Sequence, residues 1–163
     1  MRILQIHNFY LRSGGEDFAF KSEADLLRSR GDEVVQHSIT NNLIQNMSKV
    51  RLAFRTIWSM EAFREIEELI ISIQPGICHF HNTFPLISPS GYYACKKHNV
   101  PVIQTLHNYR LICPSAILFR DSHVCEDCVG KFFPWPGILH KCYHDSRNQT
   151  SIVVTMLAIH KLL

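Results

Sequence analysis

Two histidines stand two positions apart in His79-Phe80-His81-Asn82, and a third lies in Thr105-Leu106-His107-Asn108-Tyr109. Side chains alternate along a strand, so His79 and His81 share one face if that segment is extended. Two imidazoles so arranged can ligate a metal or hydrogen-bond a polar substrate. The competing arrangement packs His79 inside and lets only His81 reach a cleft. His107 can serve as an acid–base or hydrogen-bonding group for a sugar or phosphate, or it can cap a loop. No carboxylate stands near in either segment, which argues against a hydrolytic metal centre built on His79, His81 and His107. The other candidate is Ser13-Gly14-Gly15-Glu16-Asp17. Glycines let backbone amides approach an anion, and a helix starting there adds its dipole. It is neither a full G-x-G-x-x-G fingerprint nor a Walker A loop, and two glycines also make a plain tight turn.

Four cysteines, Cys113, Cys125, Cys128 and Cys142, follow in one irregular stretch. The x2 spacing of Cys125 and Cys128 suits a zinc knuckle, and four thiolates complete a tetrahedral structural site. His123, His140 and His144 are substitute ligands. A zinc ribbon has two such knuckles and this stretch has one, so packed, reduced thiols are the alternative. Cys78 and Cys95 read as core residues. Phe132-Phe133-Pro134-Trp135-Pro136 offers aromatic surface beside the cysteines, either for stacking on a ligand or for local packing.

These segments need elements to hold them. Arg2–His7 reads as a first strand, followed by a helix with Phe20, Ala24 and Leu27 on its apolar face and Gly31 at its end. Val34–Ser38 is a second strand, and residues 41–60 read as loop plus helix. Phe63, Ile66, Ile70 and Ile73 mark a helix ended by Pro75-Gly76. Ile77–His81 is a third strand. Ser88-Pro89 reads as an N-cap with proline at the first helical position, and Pro101–Leu106 is a fourth strand. The alternation predicts right-handed βαβ units and a parallel α/β sheet. Ligands of such sheets bind beyond the carboxyl ends of the strands, where the glycine loop, His81 and His107 all fall. Residues 110–146 read as a Cys-rich irregular insertion. From about Arg147 an apolar stripe (Ile152, Val153, Met156, Leu157, Ile159, Leu163) marks a terminal helix that reads as cut short.

Composition narrows the class. The chain has 163 residues, 46% of them hydrophobic and 19% charged, enough for one domain with a real core. A net charge of +3 lacks the dense basic surface of a nucleic-acid binder. No apolar run approaches the roughly 18 residues of a membrane span, and the N-terminus reads as a strand rather than a secretory signal. These features predict a cytoplasmic protein with reduced cysteines. Arg51, Arg55 and Arg64 with Phe54 and Trp58 form the only basic-aromatic group suited to peripheral membrane contact, a solvated helix face being the alternative.

The order of GGED after the first strand, HFHNTFPLISPSGYYACKK after the third, PVIQTLHNYRLICPSAILFRD after the fourth, and VCEDC, FPWPG and HKCY beyond resembles the N-terminal half of a bacterial family-4 glycosyltransferase. That family is retaining and of GT-B fold, and one subgroup carries the Cys-rich stretch. The resemblance implies a Rossmann-like parallel sheet with helices on both faces. It implies sugar transfer from a nucleotide-sugar donor to a glycan or lipid-linked acceptor in cell-envelope polysaccharide synthesis. By resemblance His107 acts at the transferred sugar, Gly14, Gly15 and Glu16 approach the donor diphosphate or acceptor, and His81, Asn82, Asn108 and Tyr109 line the acceptor side. Two departures stand out. Asn108 replaces the family's common Asp beside His107, and no two glutamates are eight positions apart, as they are in the family's donor-binding second half. The expectation is therefore an acceptor-side half, inactive by itself. Rival expectations are a non-catalytic acceptor-binding module, a module completed by a separate C-terminal catalytic half, and a small metal-dependent hydrolase.

Overall fold

A computed structural model describes residues 1–162. The first 107 residues form one compact unit. It runs β1 (Arg2–Phe9), α1 (Gly15–Ser29), β2 (Glu33–Thr40), a 3₁₀ turn (Asn41–Asn46), α2 (Lys49–Ile57), α3 (Met60–Ile73), β3 (Ile77–Phe80), α4 (Ser90–Lys97) and β4 (Val102–Gln104). The strands make a single parallel sheet in the order β2-β1-β3-β4. This is the expected α/β sheet flanked by helices. From β1 the chain first builds outward to β2 and then crosses back to β3, so the topological switch lies between β1 and β3.

The alternation of side chains sorts the sheet into two unlike faces. Leu4, Ile6, Cys78 and Phe80 point to one face and pack with Ala62, Ile66 and Ile70 of α3 and Ala94 and Cys95 of α4. This is the main apolar core. The opposite face carries Ile3 and Val34, which pack with Ala24 and Leu27 of α1. The apolar spacing along α1 and α3 is the spacing of these buried contacts.

Several boundaries differ from the hydrophobic runs. β1 and β2 extend to Phe9 and Thr40, while β3 and β4 stop at Phe80 and Gln104. Ladder bonding nevertheless runs on: the His81 amide donates to Ile6 O at 3.0 Å and the Thr105 amide to Phe80 O at 2.9 Å. Residues 41–60 resolve into the 3₁₀ turn and α2, followed by the start of α3. Each helix start is marked by a serine, Ser48 accepting from the Arg51 amide and Ser59 from the Ala62 amide. α4 opens at Ser90, one residue later than the Ser88-Pro89 signal, and the Ser88 hydroxyl accepts from both the Ser90 and the Ser59 amides. Gly31 has the positive φ (+89°) expected after α1. Gln74 takes the left-handed position after α3 ahead of Pro75-Gly76.

The residues from Asn108 onward form a second compact unit. The Cys-rich stretch is not wholly irregular: β5 (Phe119–Arg120) and β6 (His123–Val124) form a small antiparallel hairpin. Its turn residues Asp121 and Ser122 both have positive φ, as a two-residue hairpin turn demands. A short α5 (Pro136–Leu139) precedes α6 (Arg147–His160), the predicted terminal helix, whose N-cap is Ser146. Insertion and helix thus form one unit, where a single domain was expected. Leu163, the last residue of the predicted stripe, lies outside the described residues. No described helix is long and apolar enough to cross a membrane.

Candidate functional site

The sheet face beneath α1 changes character along its length. Strand register places Ile3, Val34 and Ile77 side by side at the amino end, and Gln5, Gln36 and His79 in the middle. Beyond them His7 pairs with Ser38, and His81 follows His79 by one period. Apolar residues thus give way to histidines toward the carboxyl ends, at the β1/β3 switch. Buried polar groups require partners, and α1 supplies acids to meet them.

Asp17, in the first turn of α1, lies with Oδ1 2.8 Å from His7 Nε2, and both side chains are buried. Its Oδ2 accepts the Gly14 amide at 3.1 Å, the carboxylate half of a capping box. Burial pushes the Asp17 carboxyl up, but the bonds from His7, Gly14 and Ser13 prevail and hold it below its usual range. Burial lowers the His7 pKa against the opposing pull of Asp17, and the carboxylate, an acceptor, makes Nε2 the donor of this bond. Gly14 and Gly15 sit at this helix start. Gly14 is extended, with φ −129°, and no atom lies within 4 Å of a Cβ built at either glycine. Neither turn geometry nor packing requires glycine there.

His81 is 3% exposed. Its Nδ1 lies 3.1 Å from His107 Nε2, the two rings stacked at 22°. His79 Nε2 is 2.8 Å from Thr105 Oγ1. The two β3 histidines therefore do share a face, with ring centroids 4.5 Å apart. The depth is the reverse of the alternative raised by sequence, His81 being the deeper and His79 the half-buried one. Burial, aided by the neighbouring His79, His107 and His7, lowers the His81 pKa to about 3.

The expectation that no carboxylate stands near is overturned. Glu23, two turns into α1, brings Oε2 to 3.3 Å from His81 Nε2 and 3.6 Å from His79 Nε2. Among the described residues these three form the one group of metal-ligating side chains whose ligand atoms all lie within 4.8 Å of one another. Sequence reasoning missed both Glu23 and Asp17. The signal for Glu23 was an acid three residues after Phe20 and four before Leu27, on the stripe that covers the sheet.

Other expected site residues have different employment. Asn82 is buried and holds backbone: its Nδ2 donates to Asn8 O at 2.7 Å and its Oδ1 accepts the Phe84 amide at 3.0 Å. It shapes the turn after β3 rather than lining a cleft. Glu16 is half-buried beside the more deeply used Asp17. Asn108 and Tyr109 belong to the second unit, where Asn108 Oδ1 accepts the Arg110 amide at 2.9 Å and Tyr109 is exposed. Part of the basic-aromatic group is paired, while Phe54 stays 71% exposed. Arg55 is buried against Glu61 and Leu86 O, and Arg51 Nη2 reaches Glu61 at 2.5 Å.

All six cysteines are free thiols. Cys113 and Cys128 are buried, Cys125 and Cys142 half-buried. Burial raises Cys128 to about 11, with the other three thiols adding to it. Burial also acts on Cys113, but the Ser115 hydroxyl, 3.1 Å from its sulfur, and the amides of Leu118, Ser115 and Ala116 lower its pKa overall. The four are neighbours, yet no three of them reach the ligand spacing found at Glu23, His79 and His81.

The chain matches no family model, no curated protein and no solved structure. The functional reading therefore rests on its own residues.

Proposed function

We propose that the chain is the acceptor-side half of a retaining, nucleotide-sugar-dependent glycosyltransferase of GT-B architecture, acting in the cytoplasm on a glycan or lipid-linked acceptor. The observation that carries this reading is the Gly14-Gly15 helix start at the sheet's topological switch, with open space where side chains would be. A glycine that neither turn nor packing requires leaves room for a ligand to touch backbone, and beside the Gly14 amide that Asp17 takes the next amides of the helix N-terminus suit a diphosphate. In this reading Gly14, Gly15 and Glu16 meet phosphate, and His107, steadied by His81, meets the transferred sugar. In this reading the donor's nucleotide and the charge-stabilising glutamate pair are assigned to a C-terminal half. The Cys113, Cys125, Cys128 and Cys142 group is assigned to a structural zinc ion.

The test is an amide-shift titration of the isotopically labelled chain with nucleoside-diphosphate sugars and, separately, inorganic pyrophosphate. Shifts concentrated at Gly14, Gly15, Glu16 and His107 are expected. Spectra unchanged by all of these ligands would overturn the reading.

A further inference from the structure

Glu23 and His79, which the sugar-transfer reading does not use, make up a site together with His81. Ligands held by a tetrahedral ion at roughly 2.0–2.1 Å stand about 3.4 Å from one another. Glu23 Oε2 is 3.3 Å from His81 Nε2 and 3.6 Å from His79 Nε2. A hydrogen bond would give similar distances, but orientation separates the two cases. His81 Nε2 is buried and has no hydrogen-bond partner, although the Glu23 carboxylate is beside it. A buried nitrogen left in that state costs about 1–3 kcal/mol. A cation between the nitrogen and the carboxylate satisfies both.

The surroundings fit a metal site as well. A ligating histidine characteristically donates its other ring N–H to an outer partner, which fixes its tautomer. His107 Nε2 stands 3.1 Å from His81 Nδ1. With the proton on Nδ1, donated to His107, the His81 Nε2 is left with a lone pair, 3.3 Å from Glu23 Oε2. At His79 the Thr105 hydroxyl shares Nε2, and ligation exchanges that bond for one to the ion. The Glu23 side chain is 37% exposed, which gives an ion a way in from solvent.

We infer that Glu23, His79 and His81 bind one divalent transition ion of the zinc class, with His107 orienting His81 from outside. Two histidines and one glutamate leave the fourth tetrahedral position open to an oxygen ligand, the pattern of a reactive rather than a structural centre. The inference does not depend on the sugar-transfer reading, and it is separate from the cysteine group because its ligands are nitrogen and oxygen.

The experiment is a Zn²⁺ titration of the whole chain, labelled with ¹⁵N in its imidazoles. The expected result is a joint shift of the His79 and His81 Nε2 resonances, with His107 following. Glu23→Gln, at a partly exposed position, should weaken that transition by at least about tenfold, and Cys128→Ser should leave it in place. Histidine resonances that do not move at saturating Zn²⁺ would overturn the site. So would a Glu23→Gln protein that binds as well as the parent, since the ion would then be held without Glu23.

Discussion

Asp17 spans two elements: one carboxylate oxygen lies 2.8 Å from His7 Nε2 at the end of β1, and the other takes the Gly14 amide at 3.1 Å. The loop between strand and helix is therefore fastened at both ends by a single buried side chain. Replacing Asp17 with Ala removes a charge-assisted hydrogen bond and strands the His7 nitrogen. We expect a loss of about 2–3 kcal/mol in urea unfolding and faster hydrogen exchange at the Gly14 amide.

Gly15 predicts a separation of stability from binding. It occupies the first position of α1, with open space around it, so Gly15→Ala should leave stability unchanged or raise it by less than about 1 kcal/mol. If ligand phosphate approaches this backbone, the same substitution weakens pyrophosphate binding. A thermal melt beside a calorimetric titration checks both halves. Equal binding by the variant would remove the functional reason for glycine here.

The buried histidines set the acid response of the metal-free protein. Burial lowers the pKa of His7, His37 and His79, takes His81 to about 3 and takes His160 to about 4, from an ordinary 6.5. As pH falls below 6.5 the unfolded chain takes up protons that the folded chain refuses, so acid favours unfolding. Stability should be full above about 6.5 and fall continuously toward pH 4. Asp17 and Glu61, both held below their usual values, extend the loss below that as they are forced to protonate. Urea midpoints measured from pH 8 to pH 4 should show this slope, and a flat profile would contradict the burial of these rings.

The cysteine group makes a compositional prediction. Protein purified without chelator should hold zinc that Cys128→Ser releases, with unfolding of the second unit at lower urea than the first. Elemental analysis that finds the parent and the variant equally free of zinc would leave the thiols as packing groups. The high Cys128 pKa, about 11, then predicts slow alkylation at neutral pH.

Much of the frame was legible because burial imposes periodicity. Ile66 and Ile70 on α3, Phe20 and Ala24 on α1 and the pairing of His79 with His81 follow from spacings of 3.6 and 2. Gly31 was legible because a helix end demands its φ. The acids that complete the site were not. Whether Glu23 reaches His81 depends on how α1 is rotated over the sheet, and that is set by contacts such as Ala24 with Ile3. The burial of Asn82 was not legible because an exposed turn and a buried one carry the same residues. Its place followed from hydrogen bonds to Asn8, 74 positions earlier. Arg55 and Arg51 read as a basic face because Glu61, which pairs with both, lies in the next helix.

The outer edge of β4 bears on how this protein behaves in concentrated solution. β4 pairs with β3 on one side alone among the described strands, and Val102 and Ile103 are 40% and 52% exposed. An unpaired row of N–H and C=O groups beside aliphatic side chains is a template on which a second chain can stack. Brevity restrains it: the strand is only three residues long, and the Pro101 carbonyl before it is turned inward, accepting the Cys78 amide at 2.9 Å. Lengthening β4 should therefore promote association through this edge while the interior stays intact.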